Sequence, residues 1–141
     1  MYALTDQVIN AAVLRSAVQR PEAGATIVFE GVTRNHHDGR TVVRLEYEAY
    51  SGMAESEMAR IGRVVQEQWP DARLAIVHRV GVVPVGEVSV VIATRAPHRD
   101  EAYAANRFAI DSLKETVPIW KKEVYSDGSV WKANQEVVDD D

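Results

Sequence analysis

The sequence predicts an α+β fold, one domain over residues 1–141, with a mostly antiparallel sheet packed with helices and a small extra β element. Three patterns point there. Three segments space apolar residues as helices do, four β-branched runs have strand length, and Asp-Gly pairs at 38–39 and 127–128 suit hairpin turns.

The first helix is expected over residues 5–20, with Thr5 as N-cap, Val8, Ala11, Ala12 and Val18 on the apolar face, and Pro21 as the stop. Residues 25–33 are β-branched and aromatic and predict a strand. The polar stretch 34–40 predicts a loop between antiparallel strands. Residues 41–50 form the next strand, and after Val43 they alternate: Leu45, Tyr47 and Ala49 on one face, Arg44, Glu46 and Glu48 on the other. A second helix is expected over 53–68, burying Met53, Ile61, Val64 and Val65, and Trp69-Pro70-Asp71 ends it. Strands over 73–80 and 87–95 flank the turn-rich segment 81–86. The run Val88-Ser89-Val90-Val91-Ile92-Ala93 is apolar enough for a central strand covered on both faces. A third helix spans 99–116, with Asp100 and Glu101 at its positive end and Pro118 blocking continuation. Residues 121–132 suggest a short hairpin, and an acidic tail follows from about 137. The expected order is α, β, β, α, β, β, α and a small β element.

Composition narrows the function. Of the residues, 46% are hydrophobic and 26% charged, ordinary for a globular chain long enough to bury a core. No apolar run reaches the ~20 residues that span a bilayer, and the N-terminus lacks a signal-peptide layout, so a cytoplasmic protein is expected. A formal net charge of -5 argues against binding nucleic acid or an anionic membrane, yet leaves room for a local basic pocket. The absence of cysteine excludes disulfides, thiolate metal sites and thiol nucleophiles. Any sulfur chemistry would need sulfur carried in by another molecule. There is no P-loop, G-x-G-x-x-G, H-E-x-x-H or G-x-S-x-G. The histidines (His36, His37, His78, His98) include no i,i+4 pair, and neither a resident metal nor a cofactor is expected.

The informative feature is a set of cations at element ends. Arg34 follows a strand at the mouth of a loop. His98 and Arg99 precede the third helix, where free backbone N–H groups favour an anion. Lys114 lies in that helix's last turn. Lys121 follows Pro118-Ile119-Trp120, a rigid apolar segment that would desolvate it, lower its pKa and suit it to act as base or nucleophile. Each also has a plain structural reading: dipole pairing for Lys114, solvation for Arg34, capping for His98, a surface ion pair with Asp100 or Glu101 for Arg99. His78-Arg79, in a strand-to-turn setting, reads as structural, and Trp120 and Trp131 read as core residues.

Several motifs in order resemble one family. Residues Ile27 through Asn35, with Gly39 after them, are similar to the glycine-x-x-arginine-asparagine loop of the molybdopterin synthase large, catalytic subunit. Leu45 through Tyr50, Met53-Ala54, His78-Arg79-Val80-Gly81 and Gly86-Glu87 resemble its middle portion. Pro97-His98-Arg99, Ala102-Tyr103, Asp111 through Lys114, Pro118 through Glu123, Gly128 and Trp131 resemble the part that carries catalysis. The likeness spans roughly residues 24–132 and departs at the N-terminus and at the acidic tail.

The resemblance implies a fold of the α/β hammerhead type. It also implies an enzyme that adds two sulfurs to cyclic pyranopterin monophosphate, giving the molybdopterin dithiolene. The sulfur would arrive as a thiocarboxylate on the C-terminal glycine of a small ubiquitin-like subunit, and two copies of this chain would form a homodimer within a heterotetramer. Carried over by position, Lys114 and Lys121 would be catalytic, and Val32, Thr33, Arg34, His98, Arg99, Lys122 and Glu123 would bind substrate. Cations suit both anionic reactants. His98 and Lys114 lie sixteen positions apart across one helix, roughly 24 Å at about 1.5 Å per residue, too far for one small molecule. A composite pocket is therefore expected, with Arg34, Lys114 and Lys121 from one chain and His98 and Arg99 from its mate. Two other readings stay open: a non-catalytic adaptor that grips a partner's C-terminal tail, and an unrelated phosphate-ester enzyme that needs no protein partner.

Overall fold

The structure is a computed structural model that describes residues 1–133; the expected acidic tail lies outside them. In chain order the elements are β1 (Tyr2–Thr5), α1 (Ala11–Ala17), β2 (Ala25–Val32), β3 (His36–His37), β4 (Arg40–Ala49), α2 (Met53–Gln68), β5 (Arg73–Arg79), β6 (Gly81–Pro84), β7 (Val88–Ala96), α3 (Arg99–Thr116), β8 (Ile119–Tyr125) and β9 (Gly128–Ala133).

The most apolar strands take the inner positions. The first sheet has the order β1-β5-β7-β2, so β5 and β7 are covered on both faces, as a continuous apolar run requires. On one face Leu14 and Val18 meet Ala75, Val77, Val91 and Ala93. On the other, α2 and α3 bury Met58, Ile61, Val65, Ala105 and Leu113 with Ile76, Val90 and Ile92. A second sheet runs β3-β4-β8-β9, with β6 beside β4, and its inner residues Val42, Leu45, Tyr47, Ile119 and Tyr125 join that larger core. Strands pair antiparallel throughout, except β1 with β5.

The α+β class and mostly antiparallel pairing hold, but the strands divide into two sheets, and three local expectations are corrected. Residues 5–20 are not one helix. Thr5 ends β1, which pairs in parallel with β5, and α1 starts only after Asn10, whose side chain accepts from Ala12 N at 3.0 Å. A four-residue, half-buried strand has too few positions for a period to show, and long-range pairing decides it. Met53 is 64% exposed because the buried face of α2 is Ala54, Met58, Ile61, Gly62 and Val65. The segment expected to be only a turn contains β6, which pairs with β4 from Arg44 to Tyr47. The alternation in β4 survives as predicted. A register shift between Val42 and Arg44 lets both Val42 and Leu45 face inward. No helix among the described residues is long and apolar enough to cross a membrane.

Gly62 marks the tightest helix–strand approach, since a Cβ there would run into the Tyr2 ring and hydroxyl. Ordinarily Gly→Ala inside a helix stabilises by up to about 1 kcal/mol. Here Gly62→Ala is expected to destabilise by about 1–3 kcal/mol through overpacking. Denaturant titration should show that cost disappearing in a Tyr2→Ala background, where the ring is gone.

Candidate active site

The site begins with the alternation of β8. Ile119 and Tyr125 anchor that strand in the core, so Lys121 and Glu123 between them must face inward, while Trp120, Lys122 and Val124 face the other way. Lys121 lies opposite Tyr47 and Glu123 opposite Leu45 across β4. Their exposures are only 6% and 3%. The Lys132 ammonium, from β9, sits 2.6 Å from Glu123 Oε1. Burial pushes the Glu123 carboxyl up, but the bond from Lys132 and the charges of Lys121, Lys132 and His37 outweigh it, so its pKa lies below the ordinary carboxylate value.

Strand β2 brings the second group of residues. Gly31 passes so close to β7 that a Cβ would stand 2.7 Å from Val90 Cγ1. The Ser89 hydroxyl donates to the Gly31 carbonyl at 3.2 Å. The register slips between Gly31 and Val32, and the chain leaves the sheet there. Thr33 is buried and held by its backbone, donating to Glu87 O and accepting from Gly86 N. Arg34 then reaches back, its Nη2 3.4 Å from His37 Nδ1.

Helix α3 closes the site. Buried Asn106 donates to Ile92 O at 3.0 Å and Ile27 O at 3.3 Å, and the Thr94 hydroxyl donates to Ala102 O at 2.9 Å. These bonds fasten α3 across β7 and β2 and so set where Lys114, a half-buried residue of its last turn, projects.

Between β2, α3 and the inner face of β4 and β8 lies a cleft of about 980 Å³. Among the expected site residues, it is lined by Val32, Arg34, Lys114, Lys121 and Glu123. Lys122 is not: it lies on the outer face of β8, its ammonium 5.7 Å from the Trp131 ring. Thr33 supports the loop without lining the cleft. His98 and Arg99 stand exposed at the start of α3, and the cleft follows that helix only as far as Tyr103. His98 occupies the N-cap position but makes no side-chain cap bond. Among the described residues, Arg99 makes no ion pair with Asp100 or Glu101. The expected core role of Trp131 is corrected, since it is 48% exposed on the outer face of the β8–β9 pair. Trp120 is half-buried, edge-on to Tyr50 at 5.0 Å.

Two buried histidines of the cleft lie outside the set that the sequence assigns to the site. His37 is buried and its Nε2 lies 3.2 Å from Asp38 Oδ2. The Asp38-Gly39 turn would have signalled that one of the two preceding histidines points inward. His78 is 3% exposed, and its Nδ1 lies 2.8 Å from Arg79 O. Burial, with the charges of Lys114 and Lys121 adding and the Arg79 bond opposing, pushes its pKa down to about 4. No trio of acidic or histidine side chains among the described residues is placed to hold a metal.

Residues 4–116 match the family model described as MoaE protein. That match takes in the N-terminal segment, where the motifs showed no likeness. The molybdopterin synthase catalytic subunit of Bacillus subtilis is 46% identical over 134 residues, covering 95% of this chain and 85% of that protein. The corresponding subunit of Taeniopygia guttata is 50% identical over 120 residues, covering 84% of this chain and 77% of its own. The crystal structure of molybdopterin synthase from Staphylococcus aureus superposes with a TM-score of 0.90 at 41% identity, covering 93% of this chain and 96% of that one.

His78 also gives the fold an acid sensitivity. Below the ordinary histidine pKa of 6.5 the unfolded chain takes up a proton that the folded chain refuses until about 4. Stability linked to this group is therefore complete above 6.5, falls between 6.5 and 4, and is flat below. The total is about 3 kcal/mol. Denaturation curves from pH 7 to 4 should show that component in the unmodified chain and not in His78→Gln, which keeps the Glu123 contribution.

Proposed function

The chain belongs to the MoaE protein family, and we propose that it is the catalytic subunit of a molybdopterin synthase, using its cationic cleft to move sulfur onto a pterin phosphate. One observation carries this reading: Arg34 of the loop after β2, Lys114 of α3 and Lys121 of β8 line one cleft beside a buried glutamate. Such a cleft suits an anionic chain end and an anionic phosphate together.

In this reading the sulfur donor is the C-terminal thiocarboxylate of a small ubiquitin-like subunit, and the acceptor is cyclic pyranopterin monophosphate. Sulfur on a carrier is consistent with a chain that has no cysteine. Lys114 and Lys121 touch the reacting atoms, stabilise oxyanions as the thiocarboxylate attacks, and exchange protons with them. Glu123, tied to Lys132, keeps the cleft from becoming purely positive. Arg34 holds phosphate or pterin. His98 and Arg99 do the same from a second copy of the chain, because their end of α3 lies roughly 24 Å from Lys114 at about 1.5 Å per residue. Lys122, on the outer face of β8, contacts the carrier or the second copy. The working assembly is a homodimer with a small subunit at each end, acting in the cytoplasm.

Mixing the chain with thiocarboxylated small subunit and cyclic pyranopterin monophosphate should yield dithiolene product. No product would refute the reading. Lys121→Arg keeps the charge but not the amine. It is expected to lower turnover by about a hundredfold while carrier binding stays within about twofold. An adaptor that only grips the carrier's tail would lose nothing measurable.

The shared pocket has its own test. Lys114→Ala and His98→Ala chains, each inactive alone, should regain about a quarter of normal activity when mixed and allowed to exchange, because random pairing builds one intact pocket in half of the dimers. Persistent inactivity of the mixture, or an active monomer, would contradict composite assembly.

A further inference from the structure

His78 lies on the cleft wall, and the chemistry described so far gives it no task. Its setting is nevertheless highly specified. It sits on β5, flanked by Leu4 of β1 and Val90 of β7. Its Nδ1 lies 2.8 Å from the Arg79 carbonyl oxygen. A carbonyl can only accept, so that nitrogen carries the hydrogen. The ring is neutral around pH 7, which leaves Nε2 as a bare lone pair. Tyr47 fixes the ring plane, edge-on with centroids 4.9 Å apart, and Tyr47 is itself the cross-strand neighbour of Lys121. His78, Lys114 and Lys121 border the same cavity.

A histidine needed only as a fold anchor would be satisfied by its Nδ1–H. Burying an imidazole on a wall it shares with two lysines costs acid stability, which asks for a reason. A neutral imidazole offers an ammonium group an acceptor without cancelling its charge, as a carboxylate would.

We propose that His78 is a positioning residue: its bare Nε2 accepts a hydrogen bond from one of the two lysine ammonium groups on the same cleft wall and holds it toward the reacting atoms. This rests on the sulfur-transfer reading of the cleft. His78 touches no reacting atom and acts through the lysine it holds.

Two substitutions separate this role from a structural one. An Asn amide at position 78 can replace the Nδ1 donor to Arg79 but not the Nε2 acceptor. A Gln amide can place an acceptor near the Nε2 position. In the assembled synthase, His78→Gln should retain kcat within about threefold, and His78→Asn should lose about tenfold or more, with KM for the carrier unchanged within about twofold. Full activity in His78→Asn, whether or not Gln works, would overturn the proposal. If both variants are inactive, the ¹⁵N spectrum of the unmodified chain decides. A protonated Nδ1 and bare Nε2 at pH 7, with the Nε2 signal moving on Lys114→Ala or Lys121→Ala, supports the role. A protonated Nε2, or a signal indifferent to both lysines, overturns it. Failure of the sulfur-transfer reading looks different, since the unmodified chain would then make no product whatever its imidazole spectrum.

Discussion

Everything about the site follows from two charged residues that β8 is forced to turn inward. Ile119 and Tyr125 belong to the core, and a strand with a period of two cannot bury both without also burying Lys121 and Glu123 between them. Buried charges are costly unless paired and hydrogen-bonded. The surroundings meet that demand: Lys132 from the next strand reaches Glu123, and the space in front of Lys121 is left as a cleft instead of being filled with apolar side chains. A core that keeps such a cavity is arranged around a guest.

The scaffold fixes where the walls of that cavity stand. Its walls come from two sheets and a helix, and hydrogen bonds as well as packing tie the helix to the first sheet. Asn106 and Thr94 fasten α3 to the first sheet at the level of β2 and β7. Gly31 lets β2 approach β7 closely just before the chain leaves the sheet toward Arg34. The lysine at the helix end is thus set by backbone geometry, and Arg34 follows a loop residue, Thr33, whose backbone is bonded to Glu87 and Gly86. Preorganisation of this kind lets fixed charges act on a reaction without rearranging during it.

Much of this was legible in the residues. Helices over 53–68 and 99–116 were readable because apolar spacing, Trp69-Pro70 and Pro118 agreed on the boundaries. The alternation of β4 gave its inner face directly. What was hidden depended on contacts distant in sequence: β1 gains its strand character from β5, and β6 from β4. In the site, Arg34, Lys114 and Lys121 could be selected from their places at element ends and from family likeness. The face of β8 was not readable, because Trp120-Lys122-Val124 and Ile119-Lys121-Glu123 are equally plausible inner sets on pattern alone. Pattern alone thus does not tell that the Lys122 side chain lies on the face away from the cleft, or that Trp131 is exposed. His78 reads as structural in the sequence, since a histidine before a glycine turn looks ordinary until its ring is seen on the cleft wall.

For His98 and Arg99 to meet the substrate, a second copy must bring the start of α3 to the cleft. Because the chain has no cysteine, single thiols can be introduced cleanly at chosen points. His98→Cys and Lys114→Cys chains, mixed and treated with a bismaleimide linker spanning about 10 Å, should give a covalent dimer joined between positions 98 and 114, located by peptide mass. The roughly 24 Å along one helix is too long for that linker within a single chain. A mixture that yields no such cross-link, under conditions where the labelled chains are dimeric, would contradict a cleft completed by the neighbouring copy.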